Sequence, residues 1–303
     1  MSLDCDAEAF LDRHDSLPRV DQVPIEESRR LREDAAPLLF GPTELVEFAD
    51  AELPGGCGNI PVRVYHPGSD PRPTIIYFHG GGWVFGSTRT HHGLCAALAS
   101  LSQCRLVSVD YRLAPENPFP AALTDAWEII QWAVGQAGPT KRSRIAVAGD
   151  SAGGNIAAVC ARWARDAGIE LAMQLLIYPV CDADLNTESY RGFGEGYYLT
   201  RQSMRWFWDQ YIGDGDRFQP DASPLRAENL DGLAPAIVLT AECDPLRDEG
   251  EAYAEQLRKC GVSASIRRYD GQIHGFMRLC SEIQRGRDAL NDAAAALRGG
   301  LNA

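Results

Sequence analysis

The stretch 147–155, VAGDSAGGN, constrains this chain more than any other. It holds G-x-S-x-G as Gly149-Asp150-Ser151-Ala152-Gly153. An apolar run, 145–148, leads in, and an Ala-rich helical pattern, 155–165, leads out. Strand, tight turn and helix together are the setting in which this pattern lifts a serine hydroxyl clear of the backbone. Side chains at 149 and 153 would collide with such a turn, so glycine suits both positions. The helix that follows aims free N–H groups and its positive end at the same point. The pattern alone is weak evidence, because about one chain of this length in ten carries it by chance. Its meaning rests on what else the chain supplies.

The surrounding rhythm supplies a scaffold. Period-two stretches at 44–48 and Ile60–His66 read as strands joined by a Gly-rich turn at 54–58. Thr74–Phe78 is short and wholly apolar, as a buried parallel strand would be. Further strands fall at Arg105–Val109, 145–148, 171–177, 237–240 and 264–269. Helical patterns at 90–101, 121–134, 155–165, Arg247–Lys259 and about 283–297 alternate with them. Repeated strand-then-helix units predict an α/β fold, a parallel sheet with helices on both faces. Residues 1–42 are polar with scattered apolar positions and one amphipathic helix at 24–36; they read as a helical arm. Residues 182–213 break the alternation, and Phe193, Tyr197, Tyr198, Trp206, Phe207, Trp208 and Tyr211 lie within them. Arm and insertion are expected over the carboxyl edge of the sheet of one catalytic domain, 43–303, where such folds bind ligands.

Composition excludes several classes. A net charge of −13 argues against a nucleic-acid or anionic-membrane partner. The nearest basic cluster, 141–144, reads as a solvated loop. Nine cysteines, an odd number without a C-x-x-C pair, point to reduced thiols in a cytoplasm and to neither a disulfide framework nor a zinc site. The first ten residues are acidic where a signal peptide is basic, and no run reaches the length of a membrane span. No cofactor or metal is expected.

A serine hydroxyl needs a base to become a nucleophile, and the base needs an acid to orient it. Of six histidines, His274 sits on a loop just after a strand, in YDGQIHGF. His79 competes, but its place in HGGG suits a bracing role. For the acid, Asp244 directly follows the strand 237–240, with Glu242, Asp248 and Asp270 as rivals. Pro245 equally makes Asp244 a helix cap, so the choice stays open on spacing alone. HGGGW at 79–83 follows a buried strand, and its three glycines let backbone N–H groups approach a developing oxyanion.

Together HGGGW (79–83), YRLAPE (111–116), GDSAGGN (149–155), DPLRD (244–248) and HGF (274–276) resemble the hormone-sensitive-lipase family of microbial carboxylesterases, in its GDSAG branch. The resemblance covers the chain from about residue 40 onward. It implies an α/β-hydrolase fold with an eight-stranded, mostly parallel sheet and a helical cap, to which 1–42 and 182–213 correspond. It implies Ser151 as nucleophile, His274 as base and Asp244 as orienting acid. The N–H groups of Gly81, Gly82 and Ala152 would form the oxyanion hole. A small ester of short to medium acyl chain is the implied substrate, and a homodimer through a sheet-edge strand is within the family's range. Two alternatives stand beside it: amide or formamide hydrolysis on the same fold, and a non-catalytic small-ligand receptor, against which the complete set of three residues argues.

Overall fold

The computed structural model describes residues 3–14, 20–41, 46–68, 73–137 and 144–302. Eight strands form one sheet: β1 (Glu47–Leu53), β2 (Ile60–His66), β3 (Thr74–Phe78), β4 (Arg105–Val109), β5 (Ile145–Asp150), β6 (Met173–Ile177), β7 (Ala236–Cys243) and β8 (Ala264–Ile273). Their order is β1-β2-β4-β3-β5-β6-β7-β8. The two pairings that involve β2 are antiparallel and the others parallel, as expected of a mostly parallel sheet.

The helices are α1 (Cys5–His14), α2 (Ile25–Phe40), α3 (His92–Ser102), α4 (Ala121–Ala137), α5 (Ala152–Asp166), α6 (Glu188–Phe193), α7 (Arg201–Ile212), α8 (Arg247–Lys259) and α9 (Arg285–Asn302). Strands β3, β5 and β6 are buried along their whole length, so their residues feed two separate cores. One core gathers Ile76, Phe78, Val147 and Leu176 with Ile129 of α4, Ile156 of α5 and Leu257 of α8. The other gathers Ile75, Tyr77, Ala148 and Leu175 with Leu98 of α3 and Leu297 of α9. Alternate residues of each strand serve opposite faces, as the two-residue period of a strand demands.

Several boundaries differ from the sequence reading. The first strand lies at Glu47–Leu53 rather than 44–48, of which 44 and 45 fall outside the described residues. Its side chains are nearly all exposed, so no apolar alternation marks it. Its position comes from pairing with β2, Glu47 opposite His66 and Leu53 opposite Ile60. Helix α2 continues through Pro37 to end at Gly41 rather than at residue 36. Helix α1 was only a scatter of apolar positions in the sequence. The basic cluster at 141–144 lies, except for Arg144, outside the described residues. No helix among those described is long and apolar enough to cross a membrane.

Topology brings two loops together. The chain passes from β3 outward to β4 and returns on the other side of β3 as β5. Such a reversal opens a crevice at the carboxyl ends of the strands. In register, Phe78 faces Gly149, so the loop after β3 and the turn after β5 start side by side. A Cβ on Gly153 would overlap the Phe78 carbonyl, and one on Gly149 would overlap the backbone of Gly153.

Gly→Ala inside a helix ordinarily stabilises by about 1 kcal/mol. Gly135 of α4 has open space around its Cβ position, so Gly135→Ala should stabilise by up to about 1 kcal/mol. Gly153→Ala should instead cost about 3 kcal/mol or more, because a backbone carbonyl cannot move aside. Urea denaturation of the two variants reads the opposite signs directly.

Candidate active site

Ser151 follows β5 with φ 56° and ψ −118°, a conformation that a residue with a Cβ rarely adopts. The surroundings hold it there. Its N–H donates to the Ile177 carbonyl at 2.9 Å, and its own carbonyl accepts from Asn155 at 3.1 Å and Val180 at 3.2 Å. The side chain of Asn155 donates to the carbonyls of Val180 and Ala222, so α5 and the chain leaving β6 are fastened to each other. The strained serine is therefore gripped from both sides of the turn.

His274 lies just beyond β8, and its Nε2 is 3.0 Å from Ser151 Oγ. Its Nδ1 is 2.7 Å from Asp244 Oδ2. Asp244 leaves the end of β7, is fully buried, and accepts the Leu246 N–H on its other oxygen at 2.9 Å. The capping role that competed for Asp244 and the contact to His274 thus coexist, one on each carboxylate oxygen. The rivals are engaged elsewhere. Asp248 accepts from the Ser189 N–H and from Arg247, Glu242 accepts the Gly271 N–H, and Asp270 is exposed. The ring of Tyr178 meets His274 edge-on at 4.8 Å and shields it from bulk water.

The glycine loop after β3 runs beside the turn, where the Gly80 N–H donates to Asp150, the residue before Ser151. Gly81 and Gly82 have φ 123° and 61°, and a Cβ on Gly82 would overlap the Phe207 ring. The Gly81 carbonyl turns away to accept from Val84 and Phe85. No acceptor among the described residues pairs with the N–H groups of Gly81, Gly82 or Ala152. Ala152 opens α5, so its N–H is among those a helix leaves without an internal partner.

His79 braces the loop, as its sequence position suggested. Its Nδ1 donates to the Gly80 carbonyl at 2.9 Å, and its ring stacks on Tyr111 at 4.2 Å. The Tyr111 hydroxyl donates to the His79 carbonyl at 2.7 Å, which ties the YRLAPE segment to the loop. Burial, with His91 nearby, pushes the His79 imidazole down to about 3, so it is neutral at physiological pH.

Three supporting residues escaped sequence reasoning. Asp150, the variable position of G-x-S-x-G, is buried and accepts from the Tyr77 hydroxyl at 2.8 Å and the Gly80 N–H at 2.9 Å. His91 Nε2 lies 3.2 Å from the same carboxylate. Burial alone would raise the Asp150 carboxyl; His91, the charge of Arg278 and the Tyr77 hydroxyl outweigh it and hold it below the usual carboxylate range. Arg29 of α2 reaches across to the carbonyls of Val84 and Ala114 and pairs with Glu116. An acid in the turn and a second histidine beside HGGG were the available signals for the first two. Arg29 left none, because its partners are mostly backbone carbonyls.

Known proteins similar to this chain identify its class. A model of the α/β-hydrolase fold family matches residues 75–278. The chain belongs to that family, in its hormone-sensitive-lipase-like branch. It is 41% identical over 273 residues to carboxylic ester hydrolase LipN of Mycobacterium tuberculosis, covering 86% of this chain and 73% of that one. It is 38% identical over 285 residues to an ethyl acetate hydrolase of Pseudomonas putida, covering 90% of this chain and 89% of the other. Among solved structures it superposes on the hyperthermophilic esterase of the archaeon Pyrobaculum calidifontis with a TM-score of 0.93, at 40% identity and 99% coverage of each chain.

Because His79 is held near 3 against an ordinary 6.5, the unfolded chain binds its proton first as pH falls. The stability linked to a neutral His79 is complete above about 6.5 and is lost progressively toward about 3. Between pH 6 and 4, the unfolding free energy of His79→Asn should fall less steeply than that of the wild type, by up to about 1.4 kcal/mol per pH unit. Equal slopes in denaturant titrations across that range would contradict it.

Proposed function

We propose that this protein is a serine carboxylesterase that hydrolyses small esters. The observation that carries the proposal is the chain of contacts from Asp244 through His274 to Ser151, at 2.7 and 3.0 Å, ending beside three unpaired backbone N–H groups. Ser151 Oγ attacks the ester carbonyl carbon while His274 Nε2 takes its proton. Asp244 holds the imidazole in the tautomer that leaves Nε2 free, and it stabilises the imidazolium that forms. The oxyanion is held by the N–H groups of Gly81, Gly82 and Ala152. His274 then gives its proton to the departing alcohol, and water repeats the sequence on the acyl-enzyme with the same base.

In this reading residues 1–42 and 182–213 form a cap on the catalytic domain 43–303. Gln202 of α7 donates to Asp21 of the arm, and Phe10 of α1 meets Tyr198 edge-on at 5.4 Å, which supports their acting as one unit. The aromatic rings of Trp206 and Phe207 lie 5.8 Å from Phe85 beside the glycine loop. Phe207 also crowds Gly82, which favours short and medium acyl chains over long ones. The free state of all nine cysteines supports a cytoplasmic location. Strand β8 has β7 as its one pairing partner in the sheet, so a homodimer would form along that edge. Sedimentation showing a monomer at micromolar concentration would remove the dimer from the proposal.

Hydrolysis of a p-nitrophenyl ester series, acetate through palmitate, tests the activity. Turnover should peak at short or medium chains and fall by a factor of about 10³ or more in Ser151→Ala. Asp244→Asn should lose turnover by several powers of ten, whereas Asp248→Asn should retain it within a factor of a few. A palmitate optimum, or a greater loss in Asp248→Asn than in Asp244→Asn, would overturn the assignment.

A further inference from the structure

Few arrangements of protons satisfy the groups around Asp150, and those arrangements lead back to Thr90. The buried Asp150 carboxylate accepts the Tyr77 hydroxyl and the Gly80 N–H on Oδ1, at 2.8 and 2.9 Å. His91 Nε2 lies 3.2 Å from Oδ1 and 3.3 Å from Oδ2. A carboxylate only accepts, so Nε2 carries a proton. His91 is buried as well, which disfavours a charged ring and holds the imidazole below its ordinary value. A neutral ring protonated on Nε2 has a bare Nδ1, and this Nδ1 lies 2.8 Å from Thr90 Oγ1. The Thr90 hydroxyl therefore donates to it. The Ser87 carbonyl, 3.0 Å from the same hydroxyl, competes for that proton, but as an acceptor it cannot satisfy a bare nitrogen.

Thr90 is fixed from its other side. The Ser87 N–H donates to Thr90 Oγ1 at 2.8 Å, and the Thr90 N–H donates back to Ser87 Oγ at 3.2 Å. The Ser87 hydroxyl donates in turn to Glu33 of α2 at 3.0 Å. Hydrogen bonds thus run in one direction from Thr90 to His91 and from His91 to Asp150. Asp150 precedes Ser151 in the chain, and it holds Gly80, which precedes Gly81 and Gly82. Donors aimed at a developing oxyanion act only when they are held in place before the reaction, and a misplacement of about 1 Å can cost a hundredfold in rate.

We propose that Thr90 is a positioning residue for the oxyanion hole: its hydroxyl fixes His91 in the tautomer with the proton on Nε2, and His91 with Asp150 then holds the glycine loop in register with Ser151. This role rests on the esterase reading, and Thr90 plays it through His91 rather than on the reacting atoms.

Exchange of sulfur for oxygen in the substrate tests it. p-Nitrophenyl acetate is compared with its thiono counterpart, in which C=S replaces C=O. Sulfur accepts hydrogen bonds weakly, so the ratio of kcat/KM, oxygen over sulfur, reads how well the N–H groups meet the oxyanion. Loss of folded protein or of the base lowers both rates and leaves the ratio alone. The ratio should fall about fivefold or more in Thr90→Val and stay within about twofold of the wild type in Thr90→Ser. His91→Gln offers Asp150 an amide donor and has no tautomer to fix, so Thr90→Val added to it should lower the ratio by less than about twofold more. A ratio unmoved by Thr90→Val, a loss in Thr90→Ser as large as in Thr90→Val, or the full Thr90→Val loss recurring beside His91→Gln each overturns the role. Should Thr90→Val not fold, nitrogen NMR of the wild type with isotope-labelled histidine decides. His91 is expected with Nε2 protonated and Nδ1 bare, and a proton on Nδ1, alone or together with one on Nε2, overturns the role equally. If the wild type hydrolyses neither substrate, the esterase reading fails by itself, and the nitrogen shifts alone keep or refute the tautomer.

Discussion

The Phe78 carbonyl leaves no room for a side chain at residue 153, and the site grows from that approach. Parallel pairing sets Phe78 beside Gly149, so the loop leaving β3 and the turn leaving β5 share one origin. Helix α5 can start within van der Waals reach of β3 only because its second residue is glycine. That closeness turns the backbone sharply at Ser151 and presents the first N–H of α5 alongside those of the glycine loop. A wider turn would separate the hydroxyl from the donors. The strain at Ser151, of order 1–3 kcal/mol, is sustained by three backbone hydrogen bonds around it and by two dense cores beneath.

Two acid–imidazole contacts sit on either side of this turn, and their environments set them apart. Asp244 and His274 reach the serine hydroxyl, with the acid sealed and the imidazole slightly open to the crevice. Asp150 and His91 are buried entirely, and their hydrogen bonds end in the loop backbone and in Tyr77 and Thr90. One pair continues to the Ser151 hydroxyl, 3.0 Å from His274 Nε2. The other ends on the Gly80 N–H and fixes the loop in place. The same two chemical groups therefore face a hydroxyl in one setting and brace the backbone in the other.

Much of this was legible in the sequence, for definable reasons. Strands β3 and β5 announce themselves because both faces are buried and the run is continuously apolar. Gly149, Gly153 and the HGGG run are visible because close backbone approaches leave one residue type. Ser151, His274 and Asp244 were found in their chain order, although spacing alone could not rank Asp244 above Asp248; what separates them is that Ser189 and Arg247 already hold Asp248. Strand β1 was misplaced because its exposed residues carry no period, and the partner strand sets its register. Asp150 sits at a position that the motif leaves undefined, and its role arises from Tyr77 and His91, far away in the chain.

Arg29 ties the fate of the arm to that of the reacting centre. Helices α1 and α2 belong to none of the alternating strand–helix units. Yet from α2 Arg29 grips the carbonyls of Val84 and Ala114, directly behind the glycine loop. A lineage that exchanges the arm to admit a different substrate would loosen the backbone its chemistry depends on, unless a new donor arrives with the replacement. Grafting arms between relatives thus carries a hidden condition: the graft must bring the guanidinium along with the helices.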